Sequence, residues 1–133
     1  MRSVLSALVL TVALGASGAI ADAEVVNERL SFYRQNGAGD FSADRGQAMW
    51  TEVRGQRGEA ENCATCHSSD LKTAGKHFKT GKTIEPLAPS INPKRLADAA
   101  KIEKWFLRNC KGTWGRECTD QEKGDFLLFI SKQ

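Results

Sequence analysis

Five consecutive residues, Cys63-Ala64-Thr65-Cys66-His67, constrain this chain more than any other stretch. They read C-x-x-C-H, the attachment signature of a c-type haem. Two thiols three positions apart on a helical turn match the reach between the two vinyl groups of a porphyrin. The imidazole of His67 then falls under the iron as its proximal ligand. A structural zinc site would need a second close cysteine pair, and the remaining cysteines, Cys110 and Cys118, stand eight apart. A thioredoxin-like C-x-x-C would want a βαβ setting, and the pattern of this chain offers none. The motif therefore implies one covalent haem c, bound through Cys63 and Cys66.

The chain has 133 residues, which allows a targeting segment and one small domain. A domain of that size buries a limited core, and a covalent haem adds a large apolar body for side chains to pack on. The net charge of +3 is modest. No basic stripe is long enough to suggest nucleic acid. Residues 1–23 read as a secretory signal peptide: Met1-Arg2 is a positive start, Val4 to Gly15 an apolar run, and small residues offer cleavage after Ala21 or Ala23. The apolar run is too short to span a hydrocarbon core of about 30 Å, so no stable membrane insertion is expected after cleavage. Export places the protein in an oxidising compartment outside the cytoplasm. There Cys110 and Cys118, left over as an even pair, are expected to form a disulfide, with two free thiols as the alternative. Closing so short a loop contributes only about 2–3 kcal/mol in the chain-entropy picture.

The pattern predicts an all-α fold. A helical extension over 24–40 comes first, with a helix from Glu24 to Asn36, and the haem domain covers 41–133. Ser42 caps a helix running from Ala43 to about Val53. Its Gly46 and Trp50 lie four apart on one face, suited to a close crossing with another helix. Met49 precedes the haem motif and reads as core rather than as an iron ligand. The haem helix is expected over Ala60 to His67. Lys72, Lys76, Lys79 and Lys82 follow with no acid between them. They form either a solvated face or a positive rim that docks an acidic redox partner. His77, the only histidine besides His67, is a candidate sixth ligand or a surface residue among lysines. Ile84 to Pro93 is a proline-stiffened loop, and the carbonyl of Pro86 is the candidate acceptor for the Nδ1–H of His67. Leu96 to Cys110 reads as a helix with Ile102, Trp105, Phe106 and Asn109 on one continuous face. Asn109 is either a C-terminal cap or an amide facing the iron. Thr119-Asp120-Gln121-Glu122 is a capping box that opens the last helix to about Ser131, with Gly124 placed to let it cross the Gly46/Trp50 helix.

Several of these stretches together resemble the sphaeroides haem protein family, small periplasmic class I-like monohaem cytochromes c. They are Thr80-Gly81-Lys82-Thr83-Ile84-Glu85-Pro86-Leu87-Ala88-Pro89-Ser90, Glu103-Lys104-Trp105-Phe106-Leu107-Arg108-Asn109-Cys110, Gly115-Arg116-Glu117-Cys118-Thr119 and Glu122-Lys123-Gly124-Asp125. The resemblance implies a cytochrome c-like helical fold around one haem, with His67 proximal, Asn109 as sixth ligand of the oxidised iron, and a Cys110–Cys118 disulfide. It further implies that Asn109 leaves on reduction, so that the ferrous haem binds oxygen, nitric oxide or carbon monoxide. The donor would be another cytochrome, a dihaem cytochrome c coupled to a membrane b-type cytochrome. Arg108 and Lys104 are candidate donors to a bound gas or a propionate. His77 lies outside the family pattern, which leaves His67/His77 ligation and a plain electron shuttle as the alternative. A small terminal oxidase or reductase is a further reading. The chain shows no acid–base constellation or second cofactor motif, so the reading leans away from an enzyme.

Overall fold

The structure, a computed structural model, describes residues 17–55 and 60–133. The positive start and apolar run of the signal segment therefore lie outside the described residues, as does part of the connector between Arg54 and Asn62. Among the described residues, five helices and one short ladder follow in chain order: α1 (Ser17–Gln35), α2 (Ala43–Thr51), α3 (Ala64–His67), β1 (Gly75–Lys76), β2 (Thr83–Ile84), α4 (Ala99–Trp114) and α5 (Asp120–Ser131). Among the described residues no helix is long and apolar enough to cross a membrane.

Helix α5 is the centre of the fold, buried along Gly124 to Leu127 and at Phe129 and Ile130. Its start is the expected capping box: the Thr119 hydroxyl accepts from Glu122 N, and the Glu122 carboxylate accepts from Thr119 N. Helix α2 crosses it where Gly46 has no side chain. A Cβ there would sit 2.7 Å from the Asp125 carbonyl carbon and 2.8 Å from Phe129 Cβ. Gly124, expected to serve the same crossing, instead lies under the ring of Phe41. The α2–α5 contact is fixed by a group that hydrophobic pattern does not flag. The carboxylate of Asp125, 2% exposed, accepts from Ser42 N at 2.7 Å, from Arg45 Nε and Nη2 at 2.8 and 2.9 Å, and from Gln121 Nε2 at 3.2 Å. A buried charge is tolerable only when so paired.

The N-terminal helix is packed, not appended. Val26, Leu30 and Tyr33 fall at helical spacing and join Ile102 of α4 and Leu127 of α5 in one buried cluster. The Tyr33 hydroxyl donates to Glu103, which also pairs with Lys123 of α5 at 3.1 Å. Helix α1 begins upstream of the expected Glu24. Both cleavage positions read from the sequence lie within it, but before Val26, so cutting after Ala21 or Ala23 leaves the packed face whole.

Helix α4 starts at Ala99 rather than Leu96. Leu96 has φ +59°, and Asp98 is the cap, accepting from Lys101 N. It runs one turn past Cys110 and stops at Gly115, whose φ of +70° is the left-handed geometry that favours glycine. The face expected to carry Ile102, Trp105, Phe106 and Asn109 together is divided. Ile102, Phe106 and Cys110 turn toward the core, while Trp105 and Asn109, one turn apart, are exposed. A helix can bury only one stripe, and the row at i, i+4, i+8 is the one that meets α5 and α1. The β1–β2 ladder was not expected from the lysine-rich sequence. It pairs Gly75 with Ile84 and Lys76 with Thr83.

An ion-pair hub ties the segments that follow α2 and α4 to the first turn of α5. Glu122 accepts two 2.8 Å bonds from Arg116 and one of 3.2 Å from Arg54, and both guanidinium groups flank the ring of Trp114. The Arg116 bonds, with help from Thr119 N and Arg54, hold the Glu122 carboxyl down at about 2. A depressed carboxylate stabilises the fold above its unfolded value near 4.5 and loses that contribution as pH falls toward 2. The Glu122→Gln variant is therefore expected to be less stable than the parent at pH 7, with the gap in urea midpoint closing between pH 4.5 and 2.

Candidate functional site: the haem-attachment segment

The attachment segment is held from three sides. Helix α3 is shorter than expected, with Cys63 at its N-cap and only Ala64–His67 helical. It ends because Ser68 takes φ +70°, and Trp50 of α2 donates its Nε1–H to the Ser68 carbonyl at 2.8 Å. Behind it, β1 comes close enough that a Cβ on Gly75 would fall 2.9 Å from His67 Cα and closer still to the Cys66 carbonyl. Below, Leu71 anchors the proline-stiffened loop, its carbonyl accepting from Leu87 N and Ala88 N at 3.0 and 2.9 Å. Leu71 is 1% exposed and Ala88 fully buried.

Cys63 and Cys66 are half-buried and not bridged to each other. Burial pushes the Cys63 thiol up to about 12. His67 stacks at a tilt beside Trp50, with ring centroids 5.8 Å apart. Burial first, and the Arg95 guanidinium second, hold its imidazole down at about 4, so the ring is neutral at pH 7, the form that binds a metal. Its Nδ1 is buried and has no hydrogen-bond partner among the described residues. The expected bond from His67 to the Pro86 carbonyl is not made. That carbonyl accepts instead from Arg95 Nε at 3.0 Å and Asn92 Nδ2 at 3.3 Å. Arg95 also donates to the Glu85 carbonyl at 2.7 Å. Arg95 was missed in the sequence because nothing in its spacing marks it. The only signal is a cation placed just after a loop whose carbonyls, with three prolines, have few local donors.

The other candidates are placed as follows. Cys110 and Cys118 form the disulfide, with Cα atoms 5.7 Å apart and both residues 6% exposed. Asn109 precedes it on the exposed side of α4, and among the described residues its side chain takes part in no hydrogen bond. Met49 packs against the core cluster, as expected. His77 is occupied locally: its Nδ1 accepts from Lys79 N and Thr80 N, both at 3.3 Å, and its ring stacks on Phe78. Arg108 and Lys104 sit 5.3 and 5.7 Å from the Trp105 ring centroid.

Two cysteines three positions apart at one helical turn and an adjacent neutral imidazole fit a covalent haem c. Comparison with known proteins agrees. Residues 36–130 match the family model described as Domain of unknown function (DUF1924). The chain is 44% identical over 92 residues to the cytochrome c-type protein SHP of Cereibacter sphaeroides, covering 68% of this chain and 70% of that protein. The chain belongs to the SHP family of c-type cytochromes. A 38% identity over 73 residues links it to cytochrome c'' of Methylophilus methylotrophus, although the match spans 55% of this chain and only 51% of that protein. Among solved structures, oxidised SHP, described as an oxygen-binding cytochrome c, superposes with a TM-score of 0.75 at 37% identity, over 81% of this chain and 96% of that one. Oxidised cytochrome c'' superposes with a TM-score of 0.72 at 27% identity, over 86% and 96% of the two chains. Membership of the SHP family makes this a monohaem c-type cytochrome with a helical fold, as the sequence motifs implied.

Proposed function

We propose that this SHP-family protein is exported to the periplasm, accepts electrons there from a donor cytochrome, and binds a diatomic gas at the sixth position of its reduced haem. The observation that carries the reading is the contrast between its two axial candidates. His67 is half-buried, in a segment clamped by Trp50, Gly75 and Leu71. Asn109 is exposed and hydrogen-bonded to none of the described residues, one position from a buried disulfide cysteine.

The bound haem supplies a reversible one-electron change and one open coordination position. Cys63 and Cys66 anchor it, and His67 presents a neutral nitrogen on the proximal side. An amide oxygen is a hard, weak donor that suits ferric better than ferrous iron. Asn109 is thus read as the ligand of the oxidised state that withdraws on reduction. The Cys110–Cys118 bridge keeps the amide within reach for its return. The name of the oxidised relative, an oxygen-binding cytochrome c, supports carrying gas binding over to this chain. His77 is a poorer sixth ligand, because Nδ1 already serves the turn of its own hairpin. A dihaem cytochrome c coupled to a membrane b-type cytochrome is the proposed donor, and residues 1–23 the proposed signal peptide.

The test is the visible spectrum of the dithionite-reduced holoprotein before and after carbon monoxide. A broad ferrous spectrum that shifts sharply with the gas is expected. A split low-spin pair of bands indifferent to carbon monoxide would sink the gas-binding reading and leave an ordinary electron carrier.

A further inference from the structure

One short segment of this chain is basic with no acid inside it. The chain carries +3 in all, and Lys72, Lys76, Lys79 and Lys82 alone contribute four positive charges, so everything else sums to about −1. All four are exposed, and none of them joins an ion pair among the described residues. The fold gathers them on one small scaffold, the segment 71–84 that contains the β1–β2 ladder. The scaffold is stiff. His77 N donates to the Lys82 carbonyl and Gly81 N to the His77 carbonyl, both at 2.8 Å, Gly81 adopts φ +67°, and the His77 imidazole closes the turn by accepting from Lys79 N and Thr80 N. At the tip Phe78 is 38% exposed, with the Lys79 ammonium 5.2 Å from its ring centroid. An apolar centre rimmed by unpaired cations on a rigid support is the composition of a docking patch, and the rigidity lowers the ordering cost of binding.

The patch is also placed where electrons pass. Gly75 of β1 lies against the backbone of Cys66 and His67, so the scaffold shares a wall with the haem-attachment turn. We propose that the lysine-rich hairpin of residues 71–84 is the surface on which an acidic protein electron donor docks, with carboxylates facing the four ammonium groups and an apolar contact at Phe78. This rests on the reading of the protein as an electron-accepting cytochrome and names the surface used. One electron crosses from the reduced donor to the oxidised haem, and no atoms are exchanged. An anionic membrane surface would also attract four lysines. It has no need of a patch that abuts the redox centre, and one half-exposed phenylalanine is little to insert into lipid.

The experiment uses the full holoprotein and two oxidants of opposite charge, hexacyanoferrate(III) and tris(phenanthroline)cobalt(III), mixed anaerobically with the ferrous form. At low ionic strength the triple reversal K76E/K79E/K82E is expected to slow the anionic reagent about tenfold and to speed the cationic one several-fold. Both differences should vanish at high salt. A control reversal of three lysines elsewhere, K101E/K111E/K132E, is expected to change either rate less than threefold. Equal responses of the two triple variants overturn the proposal. So does co-sedimentation of the parent protein with phosphatidylglycerol vesicles that the hairpin reversal abolishes, which would assign the patch to lipid. If the hairpin triple variant fails to accumulate, K79E alone, at the exposed tip, must shift both rates in the same directions by a smaller factor, and no shift is refutation. Parallel reduction by a purified dihaem cytochrome c separates the two readings. A parent protein that this donor cannot reduce at any salt loses the donor reading, while the reagent rates still decide the surface.

Discussion

Replacing Asn109 by valine is expected to convert the oxidised holoprotein from a low-spin to a high-spin visible spectrum, and to leave the reduced spectrum and its response to carbon monoxide unchanged within about twofold. Valine carries no oxygen or nitrogen in its side chain, so the variant tests whether the amide is the donor. The site can absorb the change. Asn109 is exposed on α4 and bonded to no described residue, and such surface exchanges usually alter stability by no more than about 0.5 kcal/mol. The neighbouring Cys110 remains buried and bridged, so α4 should keep its register. The matched variant is His77→Ala. Its imidazole closes the hairpin turn rather than reaching out of it, so both oxidation states should retain their parent spectra. The reverse pattern, an oxidised spectrum untouched by N109V and altered by H77A, would make this a carrier with two histidine ligands.

Which parts of this answer were legible in the sequence follows from the range of the interactions involved. The capping box at Thr119 and the cap at Ser42 are local. Each is specified by residues within a turn of one another, and each appears where the spacing placed it. The cap at Asp98 is equally local, yet the start of α4 was read three residues too early. The close crossing at Gly46 was legible because a glycine four residues from a tryptophan leaves few other uses for the gap. Burial of α4 was misread at the level of the face. Apolar residues at 102, 105 and 106 define a stripe wide enough to be split, and only the position of α5 and α1 decides that 102, 106 and 110 go in. A haem protein makes that error natural, since Trp105 is 46% exposed in a chain whose large apolar cofactor is not part of the sequence pattern. The polar anchors were least legible. Asp125 gathers donors from residues 42, 45 and 121, and Arg95 serves carbonyls nine and ten residues earlier. Neither has a periodic signature. The Pro86 expectation failed for the same reason, because Arg95 competes for that carbonyl from a position the spacing does not mark.

The wall behind the haem turn offers the second large effect. Gly75→Ala is expected to lower the stability of the protein by about 3 kcal/mol or more and to reduce the yield of haem-attached protein several-fold, measured by urea unfolding and by the ratio of haem to protein absorbance. An added Cβ would meet the Cys66 carbonyl and approach His67 Cα to 2.9 Å. Those are backbone atoms of the segment that must present two thiols at fixed spacing, so no flexible side chain can swing aside, and overpacking of this kind costs more than the loss of a surface contact. The strain has two outlets. Either β1 moves off and breaks its pairing with Ile84, or α3 shifts and misplaces Cys66 and His67. The first loosens the lysine-bearing hairpin, and the second impairs attachment directly. The comparison that isolates the geometry is Gly112→Ala, within α4. A Cβ at Gly112 meets nothing within 4 Å, so this exchange should stabilise the protein by about 0.5–1 kcal/mol, the ordinary gain of replacing glycine in a helix interior. Opposite signs from the same chemical change would locate the constraint in the close approach of β1 to the haem turn. A G75A protein as stable and as well loaded as its parent would mean that this wall is not what positions the attachment segment.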